Sequence, residues 1–183
     1  MDLAEYREII RFLNTQDERK RVTKPHRLPN ERYTVSDCEF FITICARHQK
    51  NPFTDPHFAQ QIINALLWWR THHQLMLFCY CLMPDHLHFI VQLPDLERKF
   101  RNGGVRGIAP QTIMDLVGDF KSYVTSQLWW KCGGTGKLWQ RSSYDNVIRS
   151  NDSVNEAVAY VLNNPERKGL IDYPYAAVVD PWM

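Results

Sequence analysis

The segment CLMPDHLHFIV, residues 81–91, places His86 and His88 one residue apart in an otherwise apolar run. On a β-strand, residues i and i+2 project to the same side. The two imidazoles then stand next to each other while Leu87 and Phe89 face away. Packed together, they need partners, because an unpaired buried polar group is costly. A divalent cation satisfies both at once; two exposed or separately hydrogen-bonded histidines fit the same spacing. A cation needs further ligands. An Asn, Gln, Asp or Glu from elsewhere would complete an open site with room for a phosphate oxygen. Tyr160 and Asn164 are four positions apart, which on a helix puts them on one face. If that face covers the histidine strand, Asn164 can offer an amide oxygen to the ion, and Tyr160 can turn its phenol toward whatever the ion holds. The same residues fit plainer roles, Tyr160 as a packed ring with a bonded hydroxyl and Asn164 as a helix C-cap.

The elements that must position these residues can be read from periodicity. Residues 3–14 have helical spacing, and a polar, basic stretch with two prolines follows to about residue 30. CEFFITICAR (38–47) is rich in β-branched and aromatic residues and predicts a strand. Asp55 as cap and Pro56 in the first turn open a helix over 55–73, apolar at Phe58, Ile62, Ala65, Leu66 and Trp69. QLMLFCYCLM (74–83) predicts a central strand, broken at Pro84-Asp85, and HLHFIVQL (86–93) predicts its hairpin partner. A glycine-rich basic loop spans 98–110. A long helix follows over 111–131, then a short strand around 144–149 and a last helix over 151–169, capped by Asp152 or Ser153 and closed by Asn163, Asn164 and Pro165. Two successive strand–helix–strand units of this kind predict an α+β, ferredoxin-like antiparallel sheet with helices on one face. The other face is left for a substrate or a further helix.

Composition bounds the function without naming it. A chain of 183 residues suffices for one domain with a sizeable core, and a net charge of +2 does not mark a nucleic-acid binder. The positive charge is uneven, however. Arg19, Lys20, Arg21, Lys24, Arg27 and Arg32 cluster ahead of the first strand, as a phosphate-binding arm or as a solvated tail. Five cysteines, an odd number without regular spacing, argue against a disulfide framework, and Cys79 and Cys81 lack the second ligand pair of a zinc site. No signal-peptide pattern opens the sequence and no apolar run reaches membrane length, so a cytoplasmic protein with no membrane partner is expected.

Taken in order, MPDHLH, LWQRSSYDNVIRS, VAYVLNNPERKGL and DYPYAAV resemble a known family. The first resembles the histidine–hydrophobe–histidine (HUH) signature of the single-tyrosine transposases. The set is most similar to the REP-associated tyrosine transposases, the bacterial branch linked to palindromic repeats. The similarity runs over roughly residues 32–178, so residues 32–183 are expected to form the catalytic domain and residues 1–31 a separate N-terminal helix and basic arm.

The resemblance implies cleavage and rejoining of single-stranded DNA beside a REP-like hairpin, through a 5′-phosphotyrosine intermediate. It implies His86 and His88 as metal ligands, Asn164 as the third, amide ligand, and Tyr160 as nucleophile. Asp85 falls where the family varies and receives no role. The implied ion is Mg²⁺ or Mn²⁺, and imidazole is the better partner for manganese. A monomer is favoured over a homodimer. Trp139, Gln140, Arg141 and Arg149, with Arg27 and Arg32 of the arm, are candidate DNA contacts, since aromatics stack on unpaired bases and arginines hold phosphates; Trp139 fits the core equally. Tyr80, Tyr123 and Tyr144 compete for the nucleophile's role. A hairpin-DNA binder without catalysis is the alternative.

Overall fold

The computed structural model describes residues 38–47, 51–94, 112–148 and 151–181. The expected N-terminal helix, the basic arm with Arg27 and Arg32, the glycine-rich loop and Arg149 lie outside them, as do the side chains of Asp152 and Ser153. Five strands and three helices are described: β1 (Glu39–Cys45), α1 (Pro56–His73), β2 (Met76–Leu82), β3 (His86–Gln92), α2 (Ile113–Tyr123), β4 (Tyr144–Ile148), α3 (Asn151–Arg167) and β5 (Ala176–Val178). All pairings are antiparallel, in the order β4-β1-β3-β2-β5. From β1 to α3 the succession is the one that periodicity predicts.

The local reasons are legible. Asp55 accepts a hydrogen bond from the Phe58 amide, and Pro56 follows it where a helix has no use for an N–H. Thr112 and Asp115 cap α2 reciprocally. In β1, Phe40, Ile42 and Ile44 are buried and alternate with half-buried Phe41, Thr43 and Cys45, so one side of the strand meets the main core. That core holds α1 and α2 against the sheet through Ile62, Leu66, Trp69, Leu116, Val117 and Phe120. Each such side chain removed from water contributes about 1.5–3 kcal/mol.

The face left for a substrate or a further helix is taken by a helix. α3 packs on the opposite face, where Val154, Val158 and Val161 meet Phe78, Cys79, Cys81 and Ile90. The physical reason is the strand composition. β2 and β3 are apolar on both sides, so neither face can be left to water.

The end of α3 differs from the expectation. It does not close at Asn163–Pro165 but runs through Pro165 to Arg167. Gly169, at φ 74, provides the stop, with the Leu170 amide bonded to the Pro165 carbonyl and the Gly169 amide to that of Glu166. Asn164 therefore sits inside the helix rather than capping it. β5, which the sequence pattern does not predict, adds three residues at the edge of β2.

Candidate active site

The turn between β2 and β3 sets the site. The Met83 amide bonds to the His86 carbonyl, and the turn is pinned from outside by Ala46 N–H on the Asp85 carbonyl at 2.7 Å and Phe53 N–H on the Pro84 carbonyl at 3.1 Å. Leu82 pairs with Leu87, so an even-numbered position of β2 faces an odd-numbered one of β3. Tyr80 consequently lies beside Phe89 in the main core, away from the histidines, and burial pushes its phenol pKa up. Cys81 pairs with His88 instead.

His86 and His88 project to the α3 side, with Nε2 atoms 3.0 Å apart. His86 Nδ1 lies 2.6 Å from Asp85 Oδ1, and His88 Nδ1 lies 2.7 Å from Thr43 Oγ1. With each Nδ1 carrying the hydrogen, both Nε2 lone pairs point into the same space. Asn164 closes it from above, its amide 3.2 Å from His88 Nε2. A half-turn of that amide exchanges nitrogen for oxygen. The trio can thus present a donor to a bare imidazole or a third lone pair to a cation.

His88 and Asn164 are both buried. Burial pushes the His88 pKa down to about 3, aided by the charge of His86 and opposed by Asp85. A neutral imidazole is what a metal requires. The two Nε2 atoms and the Asn164 amide converge closely enough to share one small divalent cation. Among the described residues no group of three or more His, Cys, Asp or Glu could hold a metal; beside the two imidazoles, the amide is the side chain at hand to serve as a third ligand.

Tyr160 lies one turn before Asn164 on α3. Its ring stands edge-on to His88, centroids 5.8 Å apart, and edge-on to Phe41 at 5.9 Å. It is 42% exposed, open to a large substrate rather than packed away. The Arg167 guanidinium lies 5.4 Å from the centroid of the Tyr160 ring. Of the rival tyrosines, Tyr123 stacks on Trp68 on the helix side of the molecule. Tyr144 pairs with Thr43, so the register sets it on the His88 face at the sheet edge, 58% exposed.

Among the expected DNA contacts, Trp139 needs correction: its ring is core. It is 6% exposed, packs on Phe53 at 5.3 Å and donates Nε1–H to the Lys121 carbonyl. Gln140 donates its side-chain N–H to the Ala46 carbonyl, and Arg141 is exposed. The sequence assigns no role to Thr43, Asp85 or Arg167. Only Thr43 carries a signal there, its odd-numbered register with Phe41 and Cys45 on β1.

No family model matches the sequence. A Haemophilus influenzae protein named "Putative REP-associated tyrosine transposase" is 21% identical over 149 residues, covering 79% of this chain and 81% of that one. A second, uncharacterized protein of the same organism is 28% identical over 146 residues, covering 69% and 79%. Among solved structures, a REP-associated tyrosine transposase bound to a REP hairpin shares the fold, with a TM-score of 0.62 and 18% identity over 84% of this chain and 82% of that one. In sequence, then, the chain is distantly similar to a putative REP-associated tyrosine transposase, and it shares the fold of a solved one.

Proposed function

We propose that the protein is a metal-dependent endonuclease and strand transferase that cuts and rejoins single-stranded DNA beside a hairpin. The observation that carries this reading is the convergence of His86, His88 and Asn164 under the exposed phenol of Tyr160. The fold it shares with a hairpin-bound transposase supports DNA as the partner.

His86, His88 and Asn164 would hold the ion, which as a Lewis acid would draw charge from a phosphodiester and orient it. The Asp85 carboxylate accepts from His86 Nδ1–H, and with Thr43 Oγ1 accepting from His88 Nδ1–H both Nε2 atoms would be available to the ion. Tyr160 Oη attacks phosphorus in line. The Oη–P bond forms, the P–O3′ bond breaks, the phenol proton leaves to solvent and the departing O3′ takes one up. The products are a 5′-phosphotyrosine and a free 3′-hydroxyl. Attack by a 3′-hydroxyl reverses the exchange and releases the phenol. One ester replaces another at each step, so no nucleotide cofactor is consumed.

The test is a hairpin oligonucleotide with single-stranded flanks, incubated with wild type, Tyr160→Phe, Tyr144→Phe and His88→Ala, with and without Mn²⁺. The reading expects a covalent protein–DNA band for wild type and Tyr144→Phe in Mn²⁺ and none for the other two. A band from Tyr160→Phe would refute the assignment. Tight hairpin binding by wild type without any band would favour a DNA-binding protein that does no chemistry.

A further inference from the structure

Helix α2 changes pitch after Tyr123. Residues Val124–Trp129 form a π-helix, a form that widens the turn and recurs at functional sites. Two adjacent tryptophans end it, and on a helix neighbouring residues point about 100° apart. Trp129 turns inward onto Phe58, centroids 5.5 Å apart, beneath Gly134. Trp130 turns outward and is 58% exposed. An exposed indole beside an inward-facing one needs a reason, since the main core gains nothing from it.

Trp130 borders a groove of about 400 Å³ between α2 and the segment 137–141. Lys121, Lys137 and Arg141 line it together with Ser122, Thr125 and Ser126, and among the described residues no acidic side chain does. Lys121 donates to the Gln140 carbonyl at 2.8 Å and, more weakly, to the Arg141 carbonyl at 3.4 Å. An ammonium has three donors, so one is left for a ligand. Burial lowers the Lys121 pKa, with the nearby Cys45 opposing. The groove's wall is tied to the histidine turn by consecutive bonds. The Gln140 amide bonds to Cys45, its side chain to Ala46, and the Ala46 amide to Asp85, next to His86.

We infer that this groove is a second binding site, for a single strand of nucleic acid running past the Asp85–His86 turn. Its phosphates lie on Lys121, Lys137 and Arg141, and one base stacks on Trp130. A flat indole face takes any base and the cations track a backbone, which is the chemistry of sequence-tolerant single-strand binding. The site deepens the proposed function and rests on it for taking the strand to be the DNA that leaves the cleavage centre.

The experiment uses the full chain and fluorescence anisotropy with a labelled oligothymidylate of about twelve nucleotides, which needs no hairpin and no cleavage. Trp130→Ala is expected to bind about tenfold more weakly, and Trp130→Phe to regain most of the loss. Lys137→Ala/Arg141→Ala is expected to flatten the salt dependence by about 1.4 in log–log slope, because two cations no longer neutralise phosphates. Thermal unfolding midpoints like the wild type's would show that each variant is folded. Wild-type affinity and salt slope in both the Trp130→Ala and double variants would overturn the site, as would Trp130→Phe binding no better than Trp130→Ala. Tighter binding of an oligouridylate of equal length would overturn the assignment to DNA. Failure of wild type to cleave hairpins would sink the proposed function and leave these comparisons standing.

Discussion

Asn164 and His88, 76 residues apart in the chain, meet at 3.2 Å with both side chains buried. Neither residue is at home in an apolar interior alone. Each supplies what the other lacks, and His86 Nε2, 3.0 Å from His88 Nε2, completes a pocket of convergent nitrogen and amide atoms. Most of the expectations below follow from that contact or from the packing that holds it.

Asn164→Ala removes the amide and leaves the two imidazoles to hold an ion. Mn²⁺ affinity, followed by calorimetric titration, is expected to fall at least about tenfold. Asn164→Asp, which adds a full negative charge at the same place, is expected to bind at least as tightly as wild type. Unchanged affinity in the alanine variant would remove Asn164 from the ligand set.

Tyr160→Phe deletes one oxygen from a half-exposed ring and leaves its edge contacts with His88 and Phe41 intact. Hairpin affinity should stay within about twofold of wild type, a few tenths of a kcal/mol, while covalent attachment is lost. A matching loss of affinity, read by anisotropy, would mean that the hydroxyl binds rather than attacks.

The low pKa of His88 makes stability fall in acid. Its usual value near 6.5 applies to the unfolded chain, whereas in the fold burial pushes it down to about 3. Between these values the unfolded state binds a proton that the folded state refuses. The stabilisation is therefore complete above about pH 6.5 and shrinks as pH falls, by up to about 1.4 kcal/mol per unit. From pH 6.5 to pH 5 the loss from this group is about 1.6 kcal/mol. Urea midpoints of wild type and His88→Gln, measured at both pH values without metal, should differ in slope by that amount. Parallel pH dependences would contradict the depressed value.

Gly134→Ala tests the packing behind the groove. A Cβ at position 134 would run into the Trp129 ring, which is itself held against Phe58. Overpacking of this kind costs about 1–3 kcal/mol. A drop of several degrees in Tm is expected; an unchanged Tm would show that the indole is free to move aside.

Asp180 fastens the chain after β5 to the sheet. Its carboxylate accepts from the Leu77 amide at 2.8 Å and from Arg70 Nε at 2.6 Å, and a second guanidinium nitrogen also bonds to it. Asp180→Ala strands a buried amide and a half-buried cation, an expected loss of about 1.5–3 kcal/mol. Asp180→Asn keeps an acceptor for Leu77 and should lose less. Equal urea midpoints for Asp180→Ala and wild type would show that the tail contributes nothing.

Much of this protein is written locally. The Asp55-Pro56 start of α1, the Thr112 and Asp115 cap of α2 and the two-residue break at Pro84-Asp85 act through neighbours a few positions away, and period-2 alternation alone puts His86 beside His88. Other features depend on partners that no local pattern names. The strand pairing of Leu82 with Leu87, not the parity of Tyr80, decided which tyrosine is shut out of the site. The apolarity of both sheet faces drew α3 across the histidines, and Gly169 rather than Pro165 ended it, leaving Asn164 free to point inward. Trp139 and Trp130 look alike in sequence, yet packing against Phe53 claims one and the other is left exposed just past the end of the π-helix. Residue types and spacing determine which groups are able to do chemistry. Their meeting depends on long-range burial, which belongs to the whole fold and to no segment of it.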